Sequence, residues 1–337
     1  MKIQIQSLRV INCGPLRDVC IHFNTDGDSP VTVLAGANGS GKTTVLKLAV
    51  AFAEMLAPLS ELPPRRIEQF GLGYAQMDWL VDGQLFSTFY GKKPENVKLA
   101  ENYYGRSGMY AEAMETSGPI ASAIEERIRL QEASPIPLHL FGRNNPDKPK
   151  TEQMLFTLPS ILFFDHTRVI LPITGDQIFR EDVAYQWVYF YQIAQKYEGS
   201  LDSYLIWLEY TDPETFENVT MFLNHLDFEG KTFSISRRDL KVEVTTRNGG
   251  THFLEALSSG EQNILIMLME LRRRLLPHSI VLIDEIENSL HPAFQHRIVN
   301  GLKRLQELIP FQLIVTSHSL AILEAFGPQS ARILTQF

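Results

Sequence analysis

The run GANGSGKT, Gly36 to Thr43, fits the spacing G-x-x-x-x-G-K-[ST] at every position. Gly36, Asn38, Gly39, Ser40 and Gly41 make a loop whose backbone N–H groups can wrap phosphate oxygens, and Thr44 carries it into a helix. Lys42 is placed to reach the β- and γ-phosphates of a nucleotide, and Thr43 to offer its hydroxyl to Mg²⁺. A second set lies far along the chain, in IVLIDEIENSLHP. There Asp284 can hold the metal through its water shell, and Glu285 can polarise an attacking water. VTSHS then places His318 at the end of a further strand, where an imidazole can hydrogen-bond a terminal phosphate. Upstream of both, LSSGEQN carries Ser258 and Glu261 at the S-x-x-E spacing of a capping box, with Ser259 and Gly260 between them.

Such residues work together only if several strands end, and several helices begin, at one place. VTVLAG is an apolar, β-branched run ending in glycine, as a buried parallel strand requires, and KTTVLKLAVAFAEML after it reads as a helix stopped by Pro58. SIVLIDE and FQLIVTS read as two more buried strands, with a helix between them that starts at Pro292 and ends by Pro310. NILIMLMELRRRLL reads as an apolar helix, and Asn248–Gly249 as a hairpin turn in LKVEVTTRNGGTHFLEAL. KIQIQSLRV and VCIHF add strands at the N-terminus. Alternating strands and helices predict an α/β domain around a mostly parallel sheet, built from residues 1–60 and 240–337. Between them, residues 61–239 are irregular and read as an inserted, mainly helical lobe. Within it LPSILFFDHTRVILP looks like a strand, and REDVAYQWVYFYQIAQKY and ETFENVTMFLNHL look helical.

Composition narrows the setting. Of 337 residues 44% are hydrophobic and 21% charged, a balance that excludes a disordered or fibrous chain. Two cysteines, Cys13 and Cys20, make no disulfide framework and suit a reducing compartment, so a cytoplasmic location is expected. No apolar run approaches the roughly 20 residues that span a bilayer, which predicts no membrane partner. The net charge of −8 does not advertise a nucleic-acid binder, yet local patches act within about 8 Å at physiological salt. Arg65–Arg66, Lys92–Lys93, Arg237–Arg238 and Arg272–Arg274 are the candidates, each read first as solvated surface. ENYYGRSGMY, Glu101 to Tyr110, mixes aromatics with an arginine and could stack on bases, but a surface loop of the insert is the favoured reading.

Taken together, these residues resemble the ATP-binding-cassette (ABC) superfamily of P-loop ATPases. LSSGEQN looks like that family's signature motif and Asp284–Glu285 like its metal-binding and catalytic pair. The spacings agree, 24 positions from Gly260 to Asp284 and 34 from Asp284 to His318. The opening IQSLRVINCGPLRDVCIHF, the variant SSGEQ and the run DEIENSLHP are similar to heads of the chromosome-maintenance (SMC), RecF and OLD types, among them PtuA-like anti-phage ATPases. The likeness covers the start and roughly the last 80 residues. It leaves the family's glutamine loop unplaced, with Gln69 and Gln76 as weak candidates and Arg168 as a substitute.

The resemblance implies an ABC-type head that binds ATP and Mg²⁺ and hydrolyses ATP. Two such heads pair head-to-tail as a homodimer or higher oligomer, each ATP lying between one phosphate loop and the other chain's Ser258, Ser259, Gly260 and Glu261. It makes Lys42, Glu285 and His318 catalytic and Thr43 and Asp284 metal-binding. OLD-type relatives carry a nuclease domain after the head, but this chain ends 19 residues past His318, so a nuclease effector is expected as a separate partner. The expected role is control of that effector, or of action on nucleic acid, in phage defence. Alternatives are a scaffold that sequesters a toxic effector without touching DNA, a chain that is itself a nuclease, and a transporter ATPase subunit.

Overall fold

The computed structural model describes residues 1–57, 73–107, 113–133, 158–166, 183–191, 201–226, 228, 230–288 and 290–334. In chain order these form β1 (Ile3–Cys13), β2 (Leu16–His22), β3 (Val31–Gly36), α1 (Lys42–Glu54), β4 (Tyr74–Val81), β5 (Gln84–Gly91), β6 (Asn102–Ser107) and β7 (Ala113–Ser117). Then come α2 (Ile120–Glu132), β8 (Ile161–Phe164), β9 (Val188–Tyr191), α3 (Leu201–Thr211), α4 (Pro213–His225), β10 (Thr232–Ser236), β11 (Lys241–Thr245) and β12 (Thr251–Phe253). The chain continues with α5 (Ser259–Arg274), β13 (Ser279–Ile283), α6 (Pro292–Leu308), β14 (Phe311–Ser317), α7 (Leu320–Phe326) and β15 (Ala331–Leu334).

The central sheet has the order β15-β3-β14-β13-β8-β9 and every pairing in it is parallel. Both its faces are covered, which is why its strands read as continuous apolar runs. Alternation along each strand divides them: Leu34, Phe163, Ile280, Leu282 and Ile314 join one core with α1 and the N-terminal sheet. Val33, Phe164, Val281, Ile283 and Val315 join the other with α3 to α6. Helix α1 lies between two sheets and is apolar nearly all round, with Val45, Leu46, Leu48, Val50 and Phe52 wholly buried. At roughly 2 kcal/mol for each large side chain, this burial makes α1 the pin between the layers. Trp187 Nε1–H donates to Ala53 O at its C-terminal turn (2.8 Å).

The N-terminal sheet runs β2-β1-β4-β5-β6-β7, antiparallel except for the β5–β6 pair. The Gln312 amide joins it to the central sheet, accepting from Ile5 N–H (2.8 Å) and donating to Ile5 O (2.9 Å). The Asn248–Gly249 turn links β11 to β12 in a small third sheet. Asp212 caps α4 by accepting from Thr215 N–H (3.1 Å), with Pro213 at the first helical position. Among the described residues no helix is long and apolar enough to cross a membrane.

The described residues of 61–239 are not the mainly helical lobe expected of them but combine strands with helices. Strands β4 to β7 extend the N-terminal sheet beside β1, and β8 and β9 extend the parallel sheet beyond β13, alongside helices α2 to α4. The stretch expected as a helix around Tyr185–Tyr191 is extended. Its Val-Tyr-Phe-Tyr run pairs with β8, where Phe190 meets Phe163 edge-on (5.8 Å) and Tyr191 stacks on Phe164 (5.4 Å). Aromatic and β-branched residues pack best on a pleated surface, and that decided the element.

Candidate nucleotide and metal site

The sheet order places four chain segments side by side. The loop after β3, the ends of β14 and β13, and the end of β8 all leave adjacent parallel strands at their C-terminal edge, where ligands of such sheets bind. The loop turns on Gly39 and Gly41, both left-handed (φ 79° and 94°). Gly41 precedes α1, and a Cβ there would come within 2.6 Å of Leu16 Cδ2. Asn38 and Gly39 are exposed at the crest, Ser40 is buried, and Thr43 and Thr44 are half-buried in the first turn.

Lys42 is only 5% exposed. Its Nζ donates to Gly36 O (3.0 Å) and Ala37 O (2.8 Å), folded over the crest of its own loop. Burial holds its pKa below the ordinary lysine value, against the opposing pull of Glu285, Asp284 and Glu287. Thr43 Oγ1–H points at Asp284, 2.9 Å from Oδ2 and 3.1 Å from Oδ1. Asp284 has no exposed surface and accepts a further bond to Oδ1 from Thr316 Oγ1–H (2.7 Å). A hydroxyl and a carboxylate in contact at the start of α1 are an oxygen donor set suited to Mg²⁺.

Beyond Asp284 the backbone turns sharply. Glu285 sits at φ 45°, an uncommon conformation for a residue with a side chain, and its N–H is held by Thr316 Oγ1 (2.7 Å). His318 is exposed at the end of β14, its backbone N–H bound by Glu287 Oε1 (2.5 Å). At the end of β8, Asp165 and His166 come beside Asp284, with His166 Nδ1 3.3 Å from Asp284 Oδ2. Sequence reasoning passed over Thr316, Glu287, Asp165 and His166. Thr316 and Glu287 lie within the runs VTSHS and DEIENSLHP without being singled out there, whereas Asp165 and His166 belong to no motif and are brought here by strand order.

Ser258 and Ser259 are exposed at the start of α5. The capping box is complete: Ser258 Oγ accepts from Glu261 N–H (3.4 Å) and Glu261 Oε2 accepts from Ser258 N–H (3.0 Å). Glu261 is buried at 3% exposure and also binds Lys231 Nζ (2.7 Å). A Cβ on Gly260 would lie 3.2 Å from the Phe294 ring, so a side chain here would press on α6. Glu261 and Gly260 are thus turned inward, and the two serines outward.

Of the glutamine-loop candidates, Gln76 belongs to β4 in the other sheet, accepting from Tyr74 Oη–H (2.8 Å) and donating to Asp78 Oδ1 (2.8 Å). Gln69 and Arg168 lie outside the described residues, as do Arg65–Arg66 and the last three residues of ENYYGRSGMY. Within that run Tyr103 belongs to β6 and packs against Phe89 (6.2 Å). Arg273 and Arg274 are buried against Glu270 (2.7 and 3.0 Å) and lie over Tyr204 and Tyr189, and Arg237 is paired with Glu209 (3.0 Å). Lys92 and Lys93 are exposed.

Residues 207–324 match the family described as "AAA domain, putative AbiEii toxin, Type IV TA system". The chain is similar to the Retron Ec83 probable ATPase of Escherichia coli, 34% identical over 111 residues covering 30% of this chain and 20% of that protein. It is also similar to the Retron Vc95 probable ATPase of Vibrio cholerae serotype O1 biovar El Tor, 27% identical over 132 residues covering 36% of this chain and 24% of that protein. The matched part therefore spans about a quarter or less of either relative. Among solved structures it is similar to the SMC head domain from Thermotoga maritima (13% identity, 96% of this chain and 92% of that one, TM-score 0.45). The Smc head with an extended coiled coil from Pyrococcus furiosus is a comparable neighbour (14% identity, 96% and 92%, TM-score 0.42). A phosphate loop after β3 and an acidic pair after β13, both at the C-terminal edge of a wholly parallel sheet, give this chain the arrangement of a P-loop nucleotide site.

Proposed function

We propose that this chain is an ATP-hydrolysing head that pairs head-to-tail around two ATP molecules and so controls a separate effector. The observation that carries the chemistry is the contact of Thr43 with Asp284 beneath the loop, with Glu285 held in a strained turn beside them. In this scheme Lys42 leaves the carbonyls of Gly36 and Ala37 for the β- and γ-phosphates, which offer its ammonium a full charge in place of two dipoles. Thr43 and Asp284 hold the Mg²⁺, which when bound neutralises charge on the phosphate oxygens. Glu285 orients the attacking water, and His318 meets the γ-phosphate from the end of β14. A cleft of about 390 Å³ between β2, Ser40 and β15 offers room for the nucleoside.

Pairing is supported by the exposed start of α5. Its free N–H groups and positive dipole end suit a phosphate, and Ser258 and Ser259 face solvent there. Arg273 and Arg274 are buried in ion pairs with Glu270, which withdraws them from a nucleic-acid surface, whereas Lys92 and Lys93 are exposed. Both relatives are named "probable ATPase" of a retron, which supports the ATPase assignment, and the family description "putative AbiEii toxin, Type IV TA system" fits a defence setting.

Glu285→Gln is expected to bind ATP, to hydrolyse it at least about a hundredfold more slowly, and to accumulate as a closed dimer. Sedimentation velocity with and without ATP measures this. If the variant shows no ATP-dependent association well above micromolar protein, the pairing model fails. Salt-sensitive stimulation of turnover by duplex DNA would instead restore the nucleic-acid reading.

A further inference from the structure

We infer that Asp165, His166 and Asp284 form a mixed nitrogen–oxygen cation position, one that takes Mn²⁺ or Co²⁺ ahead of Mg²⁺. The strand register creates it. Phe164 pairs with Ile283, and Asp284 N–H donates to Phe164 O (2.8 Å), so the residues that follow each strand emerge side by side. One ligand atom from each of the three lies within 4.8 Å of the others. The 3.3 Å between His166 Nδ1 and Asp284 Oδ2 fits ligands about 2.1 Å from a shared ion, which stand about 3.0–3.4 Å apart in octahedral or tetrahedral geometry.

Two further features point to a ligand. His166 Nδ1 lies between two carboxylates, in ion pairs with Asp165 Oδ1 and Asp284 Oδ2, and the first pair is closer together than two ligands of one ion stand, so a cation would part them on binding. Neither atom has a hydrogen bond besides these contacts, and a cation among the three side chains would take over the pairing they now give one another. The side chains are nevertheless 30% and 41% exposed, so an ion can enter from solvent. The frame is also braced. Thr43 and Thr316 orient Asp284, and Asn288 Nδ2–H donates to the His166 carbonyl (2.7 Å). An imidazole among carboxylates shifts preference from Mg²⁺ toward ions of the Mn²⁺ and Co²⁺ kind.

The inference deepens the nucleotide-site reading by naming the third metal-side segment, and it rests on that reading only for its role in ATP chemistry. It is tested on the full chain without nucleotide, by Mn²⁺ titration followed by electron paramagnetic resonance, with pulsed detection of nitrogen coupling. Wild type should bind about one Mn²⁺ with imidazole nitrogen coupled to it. His166→Ala should lose the coupling and bind at least about tenfold more weakly. Asp165→Asn should bind more weakly but keep the coupling, and circular dichroism confirms that each variant is folded. No nitrogen coupling in wild type, or equal Mn²⁺ affinity in a folded His166→Ala, overturns the inference. Binding of a fluorescent ATP analogue with Mg²⁺ is measured in parallel. Its absence, with nitrogen-coupled Mn²⁺ intact, would sink the ATP-site reading while supporting the cation position.

Discussion

Replacing Glu261 by alanine and, separately, Ser259 by alanine should divide the signature motif into a structural half and an exposed half. The Glu261 carboxylate accepts from Ser258 N–H (3.0 Å), Ser258 Oγ–H (2.8 Å) and Lys231 Nζ (2.7 Å). Removing one partner of a buried ion pair costs about 3–5 kcal/mol. The Lys231 side chain is 17% exposed and can be partly rehydrated, which places this pair near or below the lower bound. Loss of the cap adds about 1 kcal/mol, and because the two share atoms they do not simply sum. Glu261→Ala should therefore destabilise the fold by about 3 kcal/mol, read as a lower urea midpoint, whereas exposed Ser259→Ala should stay within about 0.5 kcal/mol. Burial pushes the Glu261 carboxyl up, but the bonds from Lys231 and Ser258 outweigh it and leave its pKa below the ordinary glutamate value. The stabilisation is accordingly present above the unfolded pKa near 4.3 and is lost as pH falls through the folded value, so the gap between wild type and Glu261→Ala should close in acid. In the Glu285→Gln background, Ser259→Ala should weaken ATP-dependent association at unchanged stability. If Glu261→Ala is as stable as wild type yet no longer associates, Glu261 is a ligand group and the division is wrong.

Asp202 is buried, accepts from Val242 N–H (2.6 Å), and is pushed up by burial to about 6. Its folded form holds the proton more tightly, so it costs stability as pH rises from about 4 to 6, by about 3 kcal/mol at most. Asp202→Asn should flatten that window and be about 1–3 kcal/mol more stable at pH 7.5, which urea melts at pH 4 and 7.5 would check. Gly41→Ala forces a side chain into φ 94° and against Leu16, so it should cost about 1–2 kcal/mol in the backbone alone. It should also weaken binding of a fluorescent ATP analogue at least about tenfold, and wild-type affinity in that variant would remove the loop from the nucleotide site.

The phosphate loop, the Asp284–Glu285 pair and the buried strands were legible because each is local. A glycine spacing, or an apolar run ending in acid, carries its meaning within ten residues. The rest depended on neighbours the sequence does not announce. That Glu261 reaches Lys231, and that Gly260 lies against the Phe294 ring, cannot be read from the motif that holds them. The Arg272–Arg274 run reads as a basic patch until Tyr189, Tyr204 and Glu270 are brought against it. Asp165 and His166 are the clearest case. FFDHT has no motif, and it gains chemical meaning only when β8 is laid beside β13.

That same adjacency ties the chemical end of the site to its pairing end. Asn288 donates to the His166 carbonyl, while its own carbonyl accepts from Asn263 Nδ2–H (3.2 Å) in the second turn of α5. Thus a single residue of the loop after Asp284 bonds both the segment beside Asp284 and the helix whose exposed start would, in the proposed pairing, meet a second subunit's phosphate. Hydrogen bonds alone do not make a coupling pathway; a two-state element must respond to both ends. The loop from Glu285 to Asn288 is the element such a coupling would have to move, since it begins at φ 45° and is held by Thr316 on one side and by His166 on the other. A change in what Asp165, His166 and Asp284 hold would act directly on this loop, and through Asn263 on the helix that presents Ser258 and Ser259.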